Sequence, residues 1–248
     1  MNPALRIATY NLHKGVSAFY FRHVLPAQRR ALDGLDLDLV FLQEVQGRHA
    51  SRARRHADWP ADPQHAVLAG DHHHAYGANA FYRAGHHGNA IVSRHAILGW
   101  HNQDLSLSRL ERRGLLHARI RLPGREAPLH ALCVHLNLRA EDRRRQLEAL
   151  VRYAVDEVPA DEPLILAGDF NDWRQEACAV LEDALTVHEA FRRRHGRLAA
   201  TFPVRRPLLH LDRIYVRGLD VVEAKVHSAV PWRGLSDHAP LSAVLVPR

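Results

Sequence analysis

The chain has 248 residues, 46% hydrophobic and 25% charged, with 34 basic against 27 acidic side chains for a formal net charge of +7. That length buries a full core, and the composition excludes a disordered, fibrous or disulfide-dense chain. All the basic residues except Lys14 and Lys225 are Arg, in an Ala-rich chain. The surplus favours polyanionic partners such as nucleic acid, phosphorylated metabolites or acidic lipid headgroups, although a GC-rich coding sequence produces the same bias without any binding role.

Cys133 and Cys178 are the only cysteines, and Cys133 lies inside an apolar run. That argues against a disulfide framework and is compatible with a reducing compartment. The opening MNPALRIATYNLHKG lacks a basic region followed by a long apolar one, so no signal peptide is expected. No apolar stretch approaches the roughly 20 residues of a membrane-spanning helix. The expectation is one domain over residues 1–248, monomeric and cytoplasmic, with no stable membrane insertion.

Taken in chain order, residues 5–12 (LRIATYNL) read as a first strand, 22–34 as a helix and 37–45 (LDLVFLQEV) as a second strand. GDHHHAYG, residues 70–77, reads as a solvated loop, because adjacent histidines on an extended chain point opposite ways and cannot share a metal. Strands follow at 88–94, 115–122 and 127–138, the last two joined by a hairpin at PGRE, residues 123–126. Residues 139–157 form a helix with Leu147, Leu150, Val151 and Val155 near helical spacing, and its charged RAEDRRRQ is taken as the solvated face. A strand at 163–170 (PLILAGDF), a helix at 174–195 and strands at 211–218, 221–228 and 240–246 complete the chain. Strands interleaved with a few helices suggest an α/β class, two stacked sheets covered by helices.

One device recurs: strands deliver polar side chains at their ends. Asn11 ends ATYN, Glu44 ends VFLQE, His135 follows in CVH, Asp169 and Asn171 end LAGDFN, Asp212 opens a strand, and Asp237 and His238 precede the last one. Asn, Asp and Ser are favoured in turns for local reasons, but Glu44 is a poor turn former. Oxygen ligands converging from separate strand ends suit Mg²⁺, which keeps waters that substrate phosphate can replace. A carboxylate, an amide and two imidazoles beside it supply proton transfer and donors for a pentacovalent phosphate.

The ordered set TYN, LQEV, HGNAIVSR, VHL, GDFN, LDRIYV and SDH resembles the endonuclease/exonuclease/phosphatase superfamily, with DNase I, abasic-site endonucleases, neutral sphingomyelinases and inositol polyphosphate 5-phosphatases. It is most similar to a small, little-characterised bacterial branch, some of whose members are encoded beside cardiolipin synthase. The resemblance implies a DNase I-like four-layer α/β/β/α sandwich and a Mg²⁺- or Mn²⁺-dependent phosphodiesterase without a covalent intermediate. It implies Glu44 as the principal metal ligand, with Asn11 and Asp237 completing the site directly or through water. Asp169 orients or deprotonates the attacking water, and Asn171 positions Asp169 and donates to the phosphate. His238, held charged by Asp212, binds a phosphate oxygen, and His135 stabilises the phosphate or protonates the leaving oxygen.

Some positions depart from that pattern. His13 stands where some relatives carry an acid, which puts an additional metal position in doubt, and no acid stands out in FYRAGHHGNAIV to orient His135. Asn89 and Arg113 are expected as substrate-phosphate contacts. Among the scattered Trp59, Trp100, Trp173 and Trp232, Trp173 and Trp232 lie near site motifs, either as a rim for a base or acyl chain or as packing. A nuclease acting on DNA is the leading expectation, with a phospholipid or other small phosphodiester hydrolase as the alternative. A catalytically silent phosphate- or nucleic-acid-binding domain is the third, although such a descendant would be expected to lose some of these residues.

Overall fold

The computed structural model describes residues 4–17, 22–56, 58–109 and 111–248; the first three residues of the opening stretch read above lie outside it. The elements, in order, are β1 (Leu5–Asn11), α1 (Leu25–Asp33), β2 (Leu39–His49), α2 (Ala50–Arg55), α3 (Gln64–Ala69), β3 (His73–Tyr82), β4 (Gly85–Ser93), β5 (Ile97–Asp104), β6 (Gly114–Ile120) and β7 (Leu129–His135). There follow α4 (Ala140–Glu157), β8 (Leu164–Asp169), α5 (Glu176–Leu185), β9 (His188–Glu189), α6 (Ala190–His195), β10 (Asp212–Arg217), β11 (Leu219–Val226) and β12 (Leu241–Pro247).

Two six-stranded sheets result, ordered β11-β12-β1-β2-β4-β3 and β5-β6-β7-β8-β10-β9. Each has one parallel pair at its centre, β1 with β2 and β7 with β8, and antiparallel neighbours elsewhere. A parallel pair needs a crossover, and α1 and α4 lie in the two crossovers. Strand alternation then sorts the side chains. Ile7, Phe41, Ile91, Ala131, Ile165 and Ile214 fill the core between the sheets. Ala8, Tyr10, Val40 and Leu42 face out towards Leu25 and Leu32 of α1 and Leu68 of α3. On the second sheet Leu132, Val134, Leu166 and Tyr215 face Leu147, Leu150 and Leu181 of α4 and α5. The chain is therefore an α/β/β/α sandwich.

Four sequence readings need correction. GDHHHAYG is no loop throughout: from His73 it is the start of β3, an edge strand whose small and polar residues resemble loop composition. The segment 97–104, not read as a strand, is the other sheet's edge strand, β5. The single helix expected over 174–195 is broken, because Thr186 turns left-handed (φ 53°) at the end of α5 and His188–Glu189 pair with β10 before α6 begins. The charged RAEDRRRQ segment is only partly solvated. Arg143 and Gln146 are buried: Arg143 donates to Leu138 O and lies 4.4 Å over the Trp173 ring, while Gln146 donates to Leu105 O.

Candidate active site

Asn11, His135, Asp169 and Asp212 stand in phase with the apolar residues between the sheets, because each lies an even number of residues from them: Ile7, Ala131, Ile165 and Ile214 respectively. They emerge together at one end of the seam. His135 and Asp212 are the register partners of Asp169 on either side, so three adjacent strand ends carry them. Gly168, just before Asp169, runs so close to β7 that a Cβ there would lie 2.0 Å from Val134 O. Only glycine lets the strands approach this closely.

Glu44 breaks the alternation. Gln43 points inward and donates to Cys133 Sγ, so the next residue would face outward. A register shift between Leu42 and Val45 and a left-handed backbone at Glu44 (φ 55°) turn it back towards the seam. Such a bulge is a known means of re-aiming one side chain. Its Oε2 is buried, 3.0 Å from Lys14 Nζ, and accepts no further hydrogen bond. Burial works to raise the pKa of this carboxyl, but Lys14 above all, with His135 and His87 adding to it, outweighs burial and holds it at about 2, so Glu44 is ionised. An ionised carboxylate with a spare lone pair suits a hard divalent cation.

Asp169 is hydrogen-bonded on both oxygens. Oδ1 accepts the Asn171 N–H at 3.0 Å and Oδ2 accepts from Asn11 Nδ2 at 3.0 Å, with His135 Nε2 at 3.5 Å and His238 Nε2 at 3.7 Å. Burial, with Asp212 adding repulsion, raises its pKa to about 6 even though His238 opposes the rise. Asn171, itself left-handed (φ 49°), donates Nδ2 to Leu136 O at 2.8 Å. The side-chain oxygen of Asn11, Oδ1, accepts the His13 N–H at 3.0 Å.

The two histidines are in opposite states. Burial alone would depress His238, but Asp212, accepting from Nδ1 at 2.8 Å, and then Asp169 raise it to about 10, so it is a cation. Burial and the Arg113 charge push His135 well below its usual value, so it is neutral. A neutral imidazole can donate one hydrogen bond but has no spare proton to give. Ligand atoms of Asp169, Asp212 and His238 lie within 4.8 Å of one another, but the imidazole is cationic and already bonded to Asp212, which disfavours a metal ion there.

Asp237 sits at the mouth beside Ser236, whose Oγ lies 3.2 Å from its Oδ1 and 2.8 Å from Asn11 O. Arg113 is close enough to affect His135 and His87, but its guanidinium is paired with Glu111 at 2.8 Å and donates to Leu136 O at 3.3 Å. Asn89 is corrected. Both hydrogens of its amide go to main-chain carbonyls, Gly114 O at 2.9 Å and Cys133 O at 3.3 Å, so it ties β4 to the second sheet and has no donor left for phosphate. Trp232 is buried edge-on to Tyr10 at 5.5 Å and serves packing, whereas Trp173 is 42% exposed at the mouth. Lys14 and His87 also belong to this site; neither carried a role in the sequence reading.

A fold of this kind with carboxylates, an amide and imidazoles at the end of its sheet seam is that of a phosphate-ester hydrolase scaffold, and residues 8–238 match the model of the Endonuclease/Exonuclease/phosphatase family. The chain belongs to that family. It is 45% identical over 245 residues to the uncharacterized protein YbhP of Escherichia coli K12, covering 97% of this chain and 95% of YbhP. It superposes on the endonuclease/exonuclease/phosphatase from Bacteroides vulgatus with a TM-score of 0.78 at 18% identity, covering 99% and 100% of the two chains. For D. rerio TDP2 complexed with a single strand DNA product the TM-score is 0.70 at 18% identity, covering 98% of this chain and 99% of that one. Members of the family hydrolyse phosphate esters. Among the described residues no helix is long and apolar enough to cross a membrane.

Proposed function

We propose that this chain is a divalent-metal-dependent phosphodiesterase that cleaves a P–O ester bond by in-line attack of water, with DNA as its substrate. The observation that carries the reading is Asp169 held between a cationic and a neutral imidazole, with an ionised Glu44 close enough to His135 to act on its charge. Asp169 Oδ2 takes the proton of the attacking water. His238 Nε2 donates to a non-bridging oxygen as negative charge builds there, and Asp212 keeps it charged and oriented. His135 adds a neutral hydrogen bond, and the leaving oxygen takes its proton from solvent. Glu44, with Asn11 and Asp237, would hold Mg²⁺ (or Mn²⁺), which when bound supplies Lewis-acid polarisation and charge neutralisation at the phosphoryl group.

DNA is favoured by the +7 charge, by the exposed Trp173, whose ring is backed by the buried Arg143, and by the likeness in fold to a protein solved with a DNA product. A phospholipid headgroup is the second reading. Leu138, Leu208 and Val230, on loops at the same end of the sheets, are 57%, 62% and 85% exposed and would suit a lipid surface. Three substrates separate them: supercoiled plasmid, a bis-aryl phosphate diester and cardiolipin vesicles. Plasmid nicking that disappears in EDTA and returns with Mg²⁺ or Mn²⁺ is the expected result. Lipid or diester turnover without nicking moves the assignment to lipid chemistry, and silence on all three leaves a binding-only domain.

The charge states set a pH window. The base must be ionised and the phosphate-binding imidazole protonated, so kcat/KM should rise as Asp169 loses its proton near pH 6 and fall as His238 loses its own near pH 10. A His238→Gln variant should lose most of its rate and the alkaline limb with it. An unchanged alkaline limb would assign that limb to another group.

A further inference from the structure

All the basic residues of the chain are Arg except two, and one of the two lysines stands at the site. Lys14 lies in a one-turn 3-10 helix, His13–Gly15, in which three successive residues are left-handed, with φ of 48°, 57° and 68°. His13 and Lys14 are not glycines, so this backbone is strained and persists only because its surroundings over-determine it. They do so visibly. Asn11 Oδ1 accepts the His13 N–H, and the Lys14 carbonyl accepts from both Gln64 Nε2 and Arg52 Nη1 at 3.0 Å each. Gln28 Nε2 anchors the Leu12 carbonyl just before the turn, also at 3.0 Å.

The strained turn delivers one side chain. It brings the Lys14 ammonium 3.0 Å from Oε2 of Glu44, whose own left-handed backbone turns it towards the seam. Two unfavourable backbone conformations thus face each other across one ion pair. The side chain of Lys14 remains 32% exposed, so it is accessible from the mouth. His13, next to Lys14, has its ring bonded to Val16 O at 3.1 Å and offers no carboxylate. A compact, strongly hydrated ammonium is closer to a metal ion in size and charge density than the planar guanidinium used nearly everywhere else in this chain.

Resting on the metal-dependent reading above, we propose that Lys14 is the second cation of the centre. Its ammonium shares the Glu44 carboxylate with a single divalent ion and meets a non-bridging oxygen of the substrate phosphate. The centre therefore binds one divalent ion per chain, and the positive charge that another ion would bring to the phosphate is built into the fold.

The test is isothermal titration of the full chain with Mn²⁺ at pH 8, and of the Mn²⁺-saturated chain with inorganic phosphate. Wild type should bind one Mn²⁺. Lys14→Met should bind one Mn²⁺ about tenfold more tightly, because a repelling charge beside the ion is gone, and should bind phosphate about tenfold more weakly. Lys14→Arg should keep the wild-type Mn²⁺ affinity within about threefold and lose part of the phosphate affinity. Damage to the fold would weaken both ligands together, so movement in opposite directions is the signature. Two Mn²⁺ per wild-type chain, or Mn²⁺ affinity unchanged or weakened in a folded Lys14→Met protein, overturns the proposal. If that variant does not fold, the wild-type stoichiometry and Lys14→Gln decide in the same way. Glu44→Gln tests the parent reading separately: retention of Mn²⁺ binding there would remove the metal site, whatever Lys14 does.

Discussion

Asp169→Asn should lower kcat by about a thousandfold, within the range ascribed to a positioned general base, while leaving Mn²⁺ affinity near wild type. The substitution preserves shape and the acceptor for the Asn171 N–H. It also places an amide where Oδ2 now accepts from Asn11 Nδ2 and faces the two imidazoles. Donor then meets donor at Asn11 and the base is lost. The rise in rate near pH 6 should vanish with it, because that limb belongs to the Asp169 carboxyl. Steady-state kinetics on a bis-aryl phosphate diester, with Mn²⁺ titration as the control, reads both effects. A kcat within about threefold of wild type would be far below the usual contribution of a general base and would make Asp169 a scaffold residue. A collapse of metal affinity would instead move Asp169 into the ligand set.

Much of this arrangement was legible in the chain, and the parts that were not share a cause. Central strands such as LILAGD are apolar up to their last residue because they are buried on both faces. Their ends announced Asn11, His135, Asp169 and Asp212 by placing polar groups in phase with the inner core. The edge strands β3 and β5, mostly half-buried or exposed and rich in His, Asn, Gly and Trp, carry no such signal. Glu44 could be named as a ligand, but nothing local foretells the bulge that turns it inward. Lys14 was hidden for the same reason: its role comes from a left-handed turn fixed by Gln64 and Arg52, some 40 to 50 residues away. Asn89 misled in the opposite direction, because the carbonyls that consume its amide lie on β6 and β7. Sequence pattern reports burial and period; it does not report which long-range partner has already taken a side chain's hydrogen bonds.

The largest expected loss of stability comes from Arg213→Met. Arg213 lies on the opposite face of β10 from Asp212, and its side chain is 1% exposed. Nη1 meets Asp172 Oδ2 at 2.9 Å and the Tyr215 hydroxyl at 3.2 Å, and Nη2 donates to the Asp172 carbonyl at 2.6 Å. Removing the guanidinium leaves the Asp172 carboxylate, also 1% exposed, with only the Ala177 N–H for a partner among these contacts. An orphaned buried charge of this kind costs about 3–5 kcal/mol, or roughly 10 °C in Tm for a domain of this size. Arg213→Met/Asp172→Leu should recover more than half of the loss, because it deletes the orphan as well. Thermal unfolding followed by circular dichroism measures both, and a single variant within 2 °C of wild type would mean the pair is not what holds this region. The consequence reaches the site. Asp172 directly follows Asn171, whose backbone N–H fixes Asp169, and Arg213 directly follows Asp212, which fixes His238. The buried ion pair thus clamps the backs of the two strands whose fronts carry the base and the phosphate-binding imidazole. Arg213→Met assayed well below its own Tm should therefore lose kcat more than it raises KM, a split that instability alone does not produce.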